Sequence, residues 1–185
     1  MEVQKILREG IPAEILALTG GVFAGLGLAS MRNILKQVPG IIVMVPAFLG
    51  MRGDIASSLA SRMGTALHSG TIEPVYGLSD EVTQNVIGAF TLSILEATLI
   101  GVLAHFTTVI LGAHASDLIA LLGISLFATL ISSGIMIPIT VLSTIFFYKR
   151  NIDPDTVMSP YLATFGDVVS IFALFIATKV VMGGF

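Results

Sequence analysis

The residues best suited to chemistry are acids placed within apolar segments. Asp54 follows Gly53, and an amphipathic helix begins at this point. With an advance of about 100° per residue, the acid shares one helical face with hydroxyl and imidazole side chains: Ser57, Ser58, Ser61, Thr65 and His68. The opposite face carries alanine, leucine and methionine. An acid heading a row of hydroxyls is typical of a helix that lines a polar path through a membrane.

A second acid, Asp167, repeats the local design of Asp54. Gly166 precedes it, and hydroxyls stand three residues to either side, at Thr164 and Ser170. Intramembrane acids that have no fixed partner are either protonated or hold a cation. We favour the cation-binding role for both aspartates.

Glu96 lies near the middle of another long apolar run. An unpaired carboxylate at that depth is costly, so its side chain is expected to face the interior of a helix bundle. For this residue both roles stay open, a ligand of the cation path or a buried neutral acid. The nearest basic groups, Arg52 and Arg62, point away from Asp54 on a regular helix, so no counter-ion is predicted.

The donor types indicate a hard cation. Carboxylates, hydroxyls and backbone carbonyls suit Mg²⁺, Ca²⁺, Mn²⁺ or Na⁺, and the chain has no cysteine and no histidine pair at metal spacing. One chain offers few acids, and a two-fold axis would double them, which favours a homodimer. The predicted metal ligands are Asp167, Asp54, Gly53, Ser57, Ser61, Thr164, Ser170 and Glu96.

Composition identifies the class of protein. Of 185 residues, 55% are hydrophobic and 11% charged, with a mean hydropathy of +0.96, whereas soluble domains carry about 25% charged residues. The chain is therefore predicted to be an integral membrane protein in contact with a lipid bilayer. The net charge of -3 and the lack of a basic tract argue against a nucleic-acid partner.

The apolar runs predict an all-α, polytopic membrane protein with five transmembrane helices in a single domain, residues 1–185. We expect a short charged lead-in at 1–10, which lacks the order of a signal peptide, and no cytoplasmic sensor domain in this chain. The spans are expected at about 13–31, 39–69, 82–111, 117–148 and 159–181. The segment 32–36 is expected to be a basic loop, and Ser159-Pro160 to open the last span.

Smaller features of the spans also carry predictions. Glu14 is expected at the start of the first helix, and Gly21 with Gly25 could form a small-xxx-small packing pair. Pro138 is expected to kink the fourth span. Hydroxyls of the fourth span form a seam that we assign to helix packing rather than to a substrate path: Ser125, Thr129, Ser132, Ser133 and Thr140.

Basic residues give a prediction of orientation. Five spans place the termini on opposite sides, and the positive-inside rule favours a cytoplasmic N-terminus for a multi-pass protein of the cell membrane. The side of the N-terminus carries Lys5, Arg8, Lys149 and Arg150, with Arg62 near it. The opposite side carries Arg32, Lys36 and Lys179.

Two segments carry a resemblance to a known family. PAFLGMRGDIASSLASRMGTALHSG (46–70) resembles the second transmembrane segment of the MgtE-type divalent cation transporters, and is nearest to their eukaryotic solute-carrier branch. DPDTVMSPYLATFGDVVS (153–170) resembles the fifth segment. The resemblance implies a dimer whose second and fifth helices line a cation path, with Asp167 as the pore aspartate.

The sequence departs from that family at three points. Asp54 stands at the position of the family's Gly-Asn asparagine, which adds one negative charge per chain. The magnesium-sensing domains of the bacterial members are missing from this chain, and the eukaryotic relatives carry two such membrane domains where this chain has one.

We therefore expect transport of a divalent cation, Mg²⁺ in the first instance, by a homodimer that is not an enzyme. One alternative is a sodium- or proton-coupled transporter of the same fold, and another is a scaffold or one subunit of a heteromer. A third is an intramembrane aspartyl protease. Against the protease, Thr164 stands where that class has a glycine, and Gly53 rather than tyrosine precedes Asp54.

Overall fold

The computed structural model describes residues 2–77, 79–113 and 116–183. Within these ranges the chain forms six helices joined by short connections, which confirms the all-α prediction. In chain order the helices are α1 (Glu2–Ser30), α2 (Arg32–Gln37), α3 (Ile41–His68), α4 (Asp80–Ile110), α5 (Leu118–Lys149) and α6 (Pro154–Val181).

Four of the described helices are long and apolar enough to cross a membrane. They are α3, α4, α5 and the Val157–Val181 part of α6, with mean hydropathies of 1.3, 2.1, 2.2 and 1.8. The apolar part of α1, Glu14–Ser30, is shorter. Four of the five predicted spans thus have a helix of sufficient length, and the first span stays a prediction.

The N-terminal boundary differs from the prediction. The expected lead-in and the expected first span belong to one helix, α1, which continues through Pro12. Pro12 removes one backbone hydrogen bond without ending the helix. Glu14 consequently lies inside α1 and not at a helix start, so the prediction of a terminal position was wrong.

Two further boundaries were also wrong. The segment expected to be a basic loop forms α2, with Ile34 buried. The last helix begins at Pro154, so Ser159-Pro160 lies within it and does not open it. Proline is well suited to the first turn of a helix, where its missing N–H would have no partner in any case.

Helix starts in the bundle have local causes. Ser79 caps α4, because its Oγ accepts a hydrogen bond from the N–H of Val82 at 3.3 Å. Gly40 precedes α3 with φ of +103°. A Cβ at Gly40 would lie 2.8 Å from Leu121 Cδ1, so both the backbone conformation and the close approach require glycine.

Helices α3 and α6 occupy the centre of the bundle. Helix α6 packs against α1, α3 and α5, and α3 also packs against α4 and α5. Helix α4 is the least buried of the four long helices, with 22% of its apolar window inside the protein. The largest fully buried side chains include Met44, Phe48, Leu59, Met63 and Ile124.

The hydroxyl seam of α5 lies inside this core, as predicted for helix packing. All five of its residues are buried. Ser125 Oγ donates a hydrogen bond of 2.8 Å to the carbonyl of Ala97 on α4. Gly101 of α4 makes this approach possible, because a Cβ there would lie 2.9 Å from Ser125 Oγ.

Helix α1 packs on α6 through glycines other than the predicted pair. A Cβ at Gly20 would overlap Thr164 Cγ2, and a Cβ at Gly27 would lie 2.9 Å from Ile171 Cγ2. Gly21 and Gly25 have no atom within 4 Å of their Cβ positions, so they do not form the intrachain contact. Since Gly20 meets Thr164 and Gly27 meets Ile171, the two helices run parallel.

This packing predicts that substitutions at two adjacent glycines have different effects on stability. Gly20→Ala should destabilise the bundle by about 1–3 kcal/mol, because the added methyl forces α1 away from Thr164. Gly21→Ala adds the same methyl to an open face and should leave stability unchanged. Thermal unfolding of the purified protein in detergent measures both, and equal stability of the two variants would contradict the α1–α6 contact.

Candidate functional site

The structure gives α3 two unlike faces. One face packs into the core through Met44, Phe48, Leu59 and Met63. The other is left uncovered by the rest of the chain along its whole length. We name this uncovered face the α3 stripe, and its exposed residues are Ile42, Pro46, Ala47, Gly50, Asp54, Ser58, Ser61, Arg62, Thr65 and His68. The predicted polar ladder is thus an exposed surface of the single chain.

Next to the stripe, α3 and the beginning of α6 enclose a groove of about 230 Å³. Two of the predicted hydroxyl ligands, Ser57 and Ser61, line it together with Ser159 of α6. Gly53, one turn before Ser57, is half-buried. The groove therefore collects hydroxyl groups of two helices close to Asp54.

Arg52 is the residue that the sequence reasoning missed. Its side chain is 2% exposed and lies in the interior of the bundle. Nη1 donates a hydrogen bond of 2.6 Å to Ser133 Oγ of α5, and the guanidinium carbon lies 5.5 Å from the centroid of the Phe48 ring. Arg52 thus points into the core while Asp54 is exposed, as the helical periodicity predicts.

A signal for Arg52 was present in the helical periodicity. The same advance of about 100° per residue that turns Arg52 away from Asp54 places it on the face of Leu59 and Met63. That face forms the core. A basic side chain on a core-facing stripe of a membrane helix predicts a buried charge that needs a partner.

Glu96 of α4 interacts electrostatically with charged residues of α3. Its half-buried side chain interacts with Arg52, which attracts it, and with Asp54, which repels it. Glu96 is therefore the acid whose charge acts on both Arg52 and Asp54. Both roles considered for Glu96 remain compatible with this position.

Asp167 of α6 lies at the same level of the bundle as the Gly53-Asp54 pair. The preceding residue, Gly166, is buried, and a Cβ there would lie 3.7 Å from Arg52 Cβ. Helices α3 and α6 therefore touch at Arg52 and Gly166. In each helix an aspartate, Asp54 or Asp167, lies within two residues of this contact. Asp167 itself is half-buried.

Two predicted ligands of α6 lie in the interior rather than on the stripe. Thr164 is buried against Gly20, and its Oγ1 donates to the carbonyl of Pro160 at 2.8 Å. Ser170 is fully buried, and its Oγ has no hydrogen-bond partner. Neither residue is brought together with the hydroxyls of α3.

Within one copy of the chain, the described acidic and histidine side chains form no cluster of three that could hold a metal ion directly. What the copy offers is a set of acids spread over α3, α4 and α6, with hydroxyls beside them. Such groups can attract a cation and accept hydrogen bonds from its hydration water.

Comparison with known proteins is consistent with this arrangement. A family model described as MgtE, divalent cation transporter, matches residues 45–177. Solute carrier family 41 member 2 is 32% identical over 170 residues in Mus musculus and in Gallus gallus, which covers 85% of this chain. Solute carrier family 41 member 3 of Mus musculus is 25% identical over 167 residues.

The matched region is only a part of these relatives. The chain spans about 28% of the length of Solute carrier family 41 member 2 from Mus musculus and 33% of member 3. No solved structure matches the chain.

The contact of Arg52 with α5 yields a test of the site's geometry. Ser133→Ala removes the acceptor of a buried guanidinium and should lower the free energy of unfolding by about 1–3 kcal/mol. Ser132→Ala is the matched control, because the hydroxyl of Ser132 only donates to carbonyls of its own helix. Unfolding in detergent compares the two, and an equal effect of both variants would contradict the Arg52–Ser133 contact.

Proposed function

Since the chain belongs to the MgtE family of divalent cation transporters, we propose that it carries a divalent cation, Mg²⁺ in the first instance, across a membrane. The path runs along α3 and α6, and two copies of the chain form it around a two-fold axis. Asp167 and Asp54 are the principal acids of the path, and Glu96 adds a third.

The observation that carries this proposal is the uncovered α3 stripe. It presents a carboxylate and three hydroxyls, with the guanidinium of Arg62 beside them, on the outside of a helix that is long and apolar enough to span a membrane. Lipid chains solvate neither carboxylates nor hydroxyls, so such a face needs water or protein against it. A water-filled cation path supplies what the stripe requires.

A second copy of the chain is the proposed cover for the stripe. Two stripes that face each other across a two-fold axis would double the acids and enclose the path between them. The packing of α1 supports a topology of five spans, because α1 runs parallel to α6 at the level of Gly20 and Thr164. We assign α1 as an additional span before the other four. This places the N-terminus and the C-terminus on opposite sides of the membrane.

The donor types favour Mg²⁺ carried with part of its water. Mg²⁺ loses its water reluctantly and is usually held by one or two carboxylates through water. Ser57 and Ser61 line a groove beside Asp54 and can accept hydrogen bonds from hydration water. The carbonyl of Gly53 completes the proposed ligand set, whereas Thr164 and Ser170, which are buried in the interior of the single chain, are not part of it. Ca²⁺ and Mn²⁺ are the competing ions.

The family consists of transporters rather than enzymes. The protease alternative is therefore set aside. Coupling to a sodium or proton gradient stays a variant of the transport proposal, and the same flux experiment tests it.

Flux into liposomes tests the proposal directly. Purified wild-type protein should take up Mg²⁺ in a saturable manner. Asp167→Asn should reduce uptake to the level of protein-free liposomes, because it removes the pore charge. Asp54→Asn introduces the residue of the family pattern and should retain uptake with a higher half-saturation concentration.

Glu81→Gln, at the exposed first turn of α4, is the matched control and should behave as wild type. Uptake that persists in Asp167→Asn contradicts the assignment of the pore acid. Uptake that appears only with a sodium or proton gradient supports the coupled variant.

Cross-linking tests the second copy. The chain has no cysteine, so a single introduced thiol reports one position. Ser58→Cys on the stripe should give a covalent dimer with a short bifunctional thiol reagent in membranes. Leu103→Cys on the outer face of α4, where Leu103 is 60% exposed, should not. Cross-linking at Leu103 alone would contradict a dimer formed through the stripe.

A further inference from the structure

We propose that the groove between α1 and α6 binds one anionic phospholipid, with an acyl chain in the groove and the phosphate of the headgroup held by Lys179 and Arg32. The inference goes beyond the proposed function, because it concerns the lipid around the protein and not the transported ion. It assigns a role to the outer side of the contact between α1 and α6.

The groove follows from the close packing of α1 on α6. Gly27 lies directly against α6, since a Cβ there would lie 2.9 Å from Ile171 Cγ2. Gly27 and the buried Ala24 form the floor, and larger side chains such as Phe23 and Phe172 form the walls. The enclosed volume is about 290 Å³, near the lower end of the range for ligand pockets, about 300–1,000 Å³. It suits one acyl chain rather than a whole phospholipid.

The lining of the groove suits hydrocarbon. Ser30 is the one polar residue among those that line it. Its Oγ donates a hydrogen bond of 2.6 Å to the carbonyl of Gly27, so this hydroxyl is satisfied within α1. Phe23, Val168 and Phe172 are exposed at the rim. The groove therefore opens to the outside of the bundle, where a membrane offers acyl chains.

Basic side chains stand at one end of the groove. Lys179 lies one turn after Phe175, a residue of the lining, and its Nζ is 4.8 Å from the centroid of that ring. Arg32 directly follows Met31, which lines the groove from the α1 side. Both basic side chains are exposed, and so is Lys36, one turn further along α2. A groove suited to hydrocarbon thus ends at a group of cations.

The same end of the bundle carries few acids. A Cβ at Gly123 of α5 would lie 3.4 Å from Val181, so the start of α5 lies beside the end of α6. Gly40 meets Leu121 in the same way, which brings the start of α3 to this end. Among the described residues here, three are lysine or arginine and one, Asp117, is acidic. The resulting positive charge complements a phosphate.

An anionic phospholipid matches both parts of the site. Free phosphate would leave the apolar groove unused, and a zwitterionic lipid would leave the positive charge unmatched. Long basic side chains near helix ends reach to the level of the headgroups, and basic pockets between transmembrane helices bind anionic headgroups. Each basic residue near the membrane surface should raise the affinity for an anionic lipid about fivefold.

Native mass spectrometry of the protein in detergent tests the site. Wild type titrated with phosphatidylglycerol and phosphatidylcholine of identical acyl chains should retain one phosphatidylglycerol per chain in preference to phosphatidylcholine. Arg32→Gln/Lys179→Gln should weaken the binding of phosphatidylglycerol by roughly tenfold or more and leave that of phosphatidylcholine unchanged. Lys149→Gln/Arg150→Gln removes two charges at the far end of α5 and is the matched control, which should behave as wild type.

A second pair of variants tests the groove itself. Ser30→Phe fills the groove from its exposed edge and should weaken the binding of phosphatidylglycerol several-fold, although the cations remain. Ser30→Ala leaves the groove open and should bind as wild type. If Ser30→Phe does not fold, Phe172→Ala removes one exposed wall and should weaken binding in its place. Unchanged binding in the variant that is used overturns the acyl-chain assignment.

Other results also overturn the proposal. Equal retention of the two lipids by wild type would show that the site does not select a negative charge. Unchanged retention of phosphatidylglycerol in Arg32→Gln/Lys179→Gln would show that the headgroup is not held at this end. Loss of a dimer in Ser30→Phe, with lipid retention unchanged, would show that a second copy covers the groove. None of these readouts uses ion flux, so the lipid site and the proposed transport can fail separately.

Discussion

A charge inside a membrane-spanning bundle has to be matched by its neighbours, and Arg52 imposes this requirement on three helices at once. Helix α5 supplies the hydroxyl of Ser133, and α6 supplies Gly166 beside the stem of the arginine. Helix α4 carries Glu96, whose charge acts on the guanidinium. Neither lipid nor an apolar core solvates a guanidinium. The arrangement of α3, α4, α5 and α6 around this one side chain is therefore coupled to its charge.

Helix α3 combines two tasks that other helices keep apart. Its inner face contributes Phe48, Leu59 and Met63 to the core, while its outer stripe presents Asp54 and hydroxyls. The mixture explains why its mean hydropathy is 1.3 when that of α4 is 2.1. Helix α4 contributes Glu96 on one side and an apolar outer surface on the other, which suits contact with lipid.

Helix α6 is fixed from both sides, and this positions Asp167. Gly20 and Gly27 let α1 lie directly on α6, and α3 meets α6 at Gly166. The hydroxyl of Thr164 bonds within its own helix at the α1 contact, so it serves packing in the single chain. An acid held between two such contacts is kept at a defined depth, as a shared ion path requires.

Much of the fold could be predicted from local pattern. Hydropathy and length identified the membrane class and four long spans, because the bilayer imposes a minimum apolar length on each helix. The helical period identified the face of Asp54 that the rest of the chain leaves open. Seam residues such as Ser125 were correctly assigned to packing, since small hydroxyl side chains allow close helix approach.

Other features depended on neighbours that are distant in sequence. The sequence alone could not tell whether Gly20 or Gly21 meets another helix, because that choice depends on where Thr164 lies. The sequence alone also could not identify a partner for Arg52, although the helical period places this residue on the core-facing side of α3. The amino-acid sequence by itself determined which long segments are helical, apolar and acidic. Only the tertiary structure decided which charges share a site, because electrostatic and packing energies depend on distances between helices that no local pattern specifies.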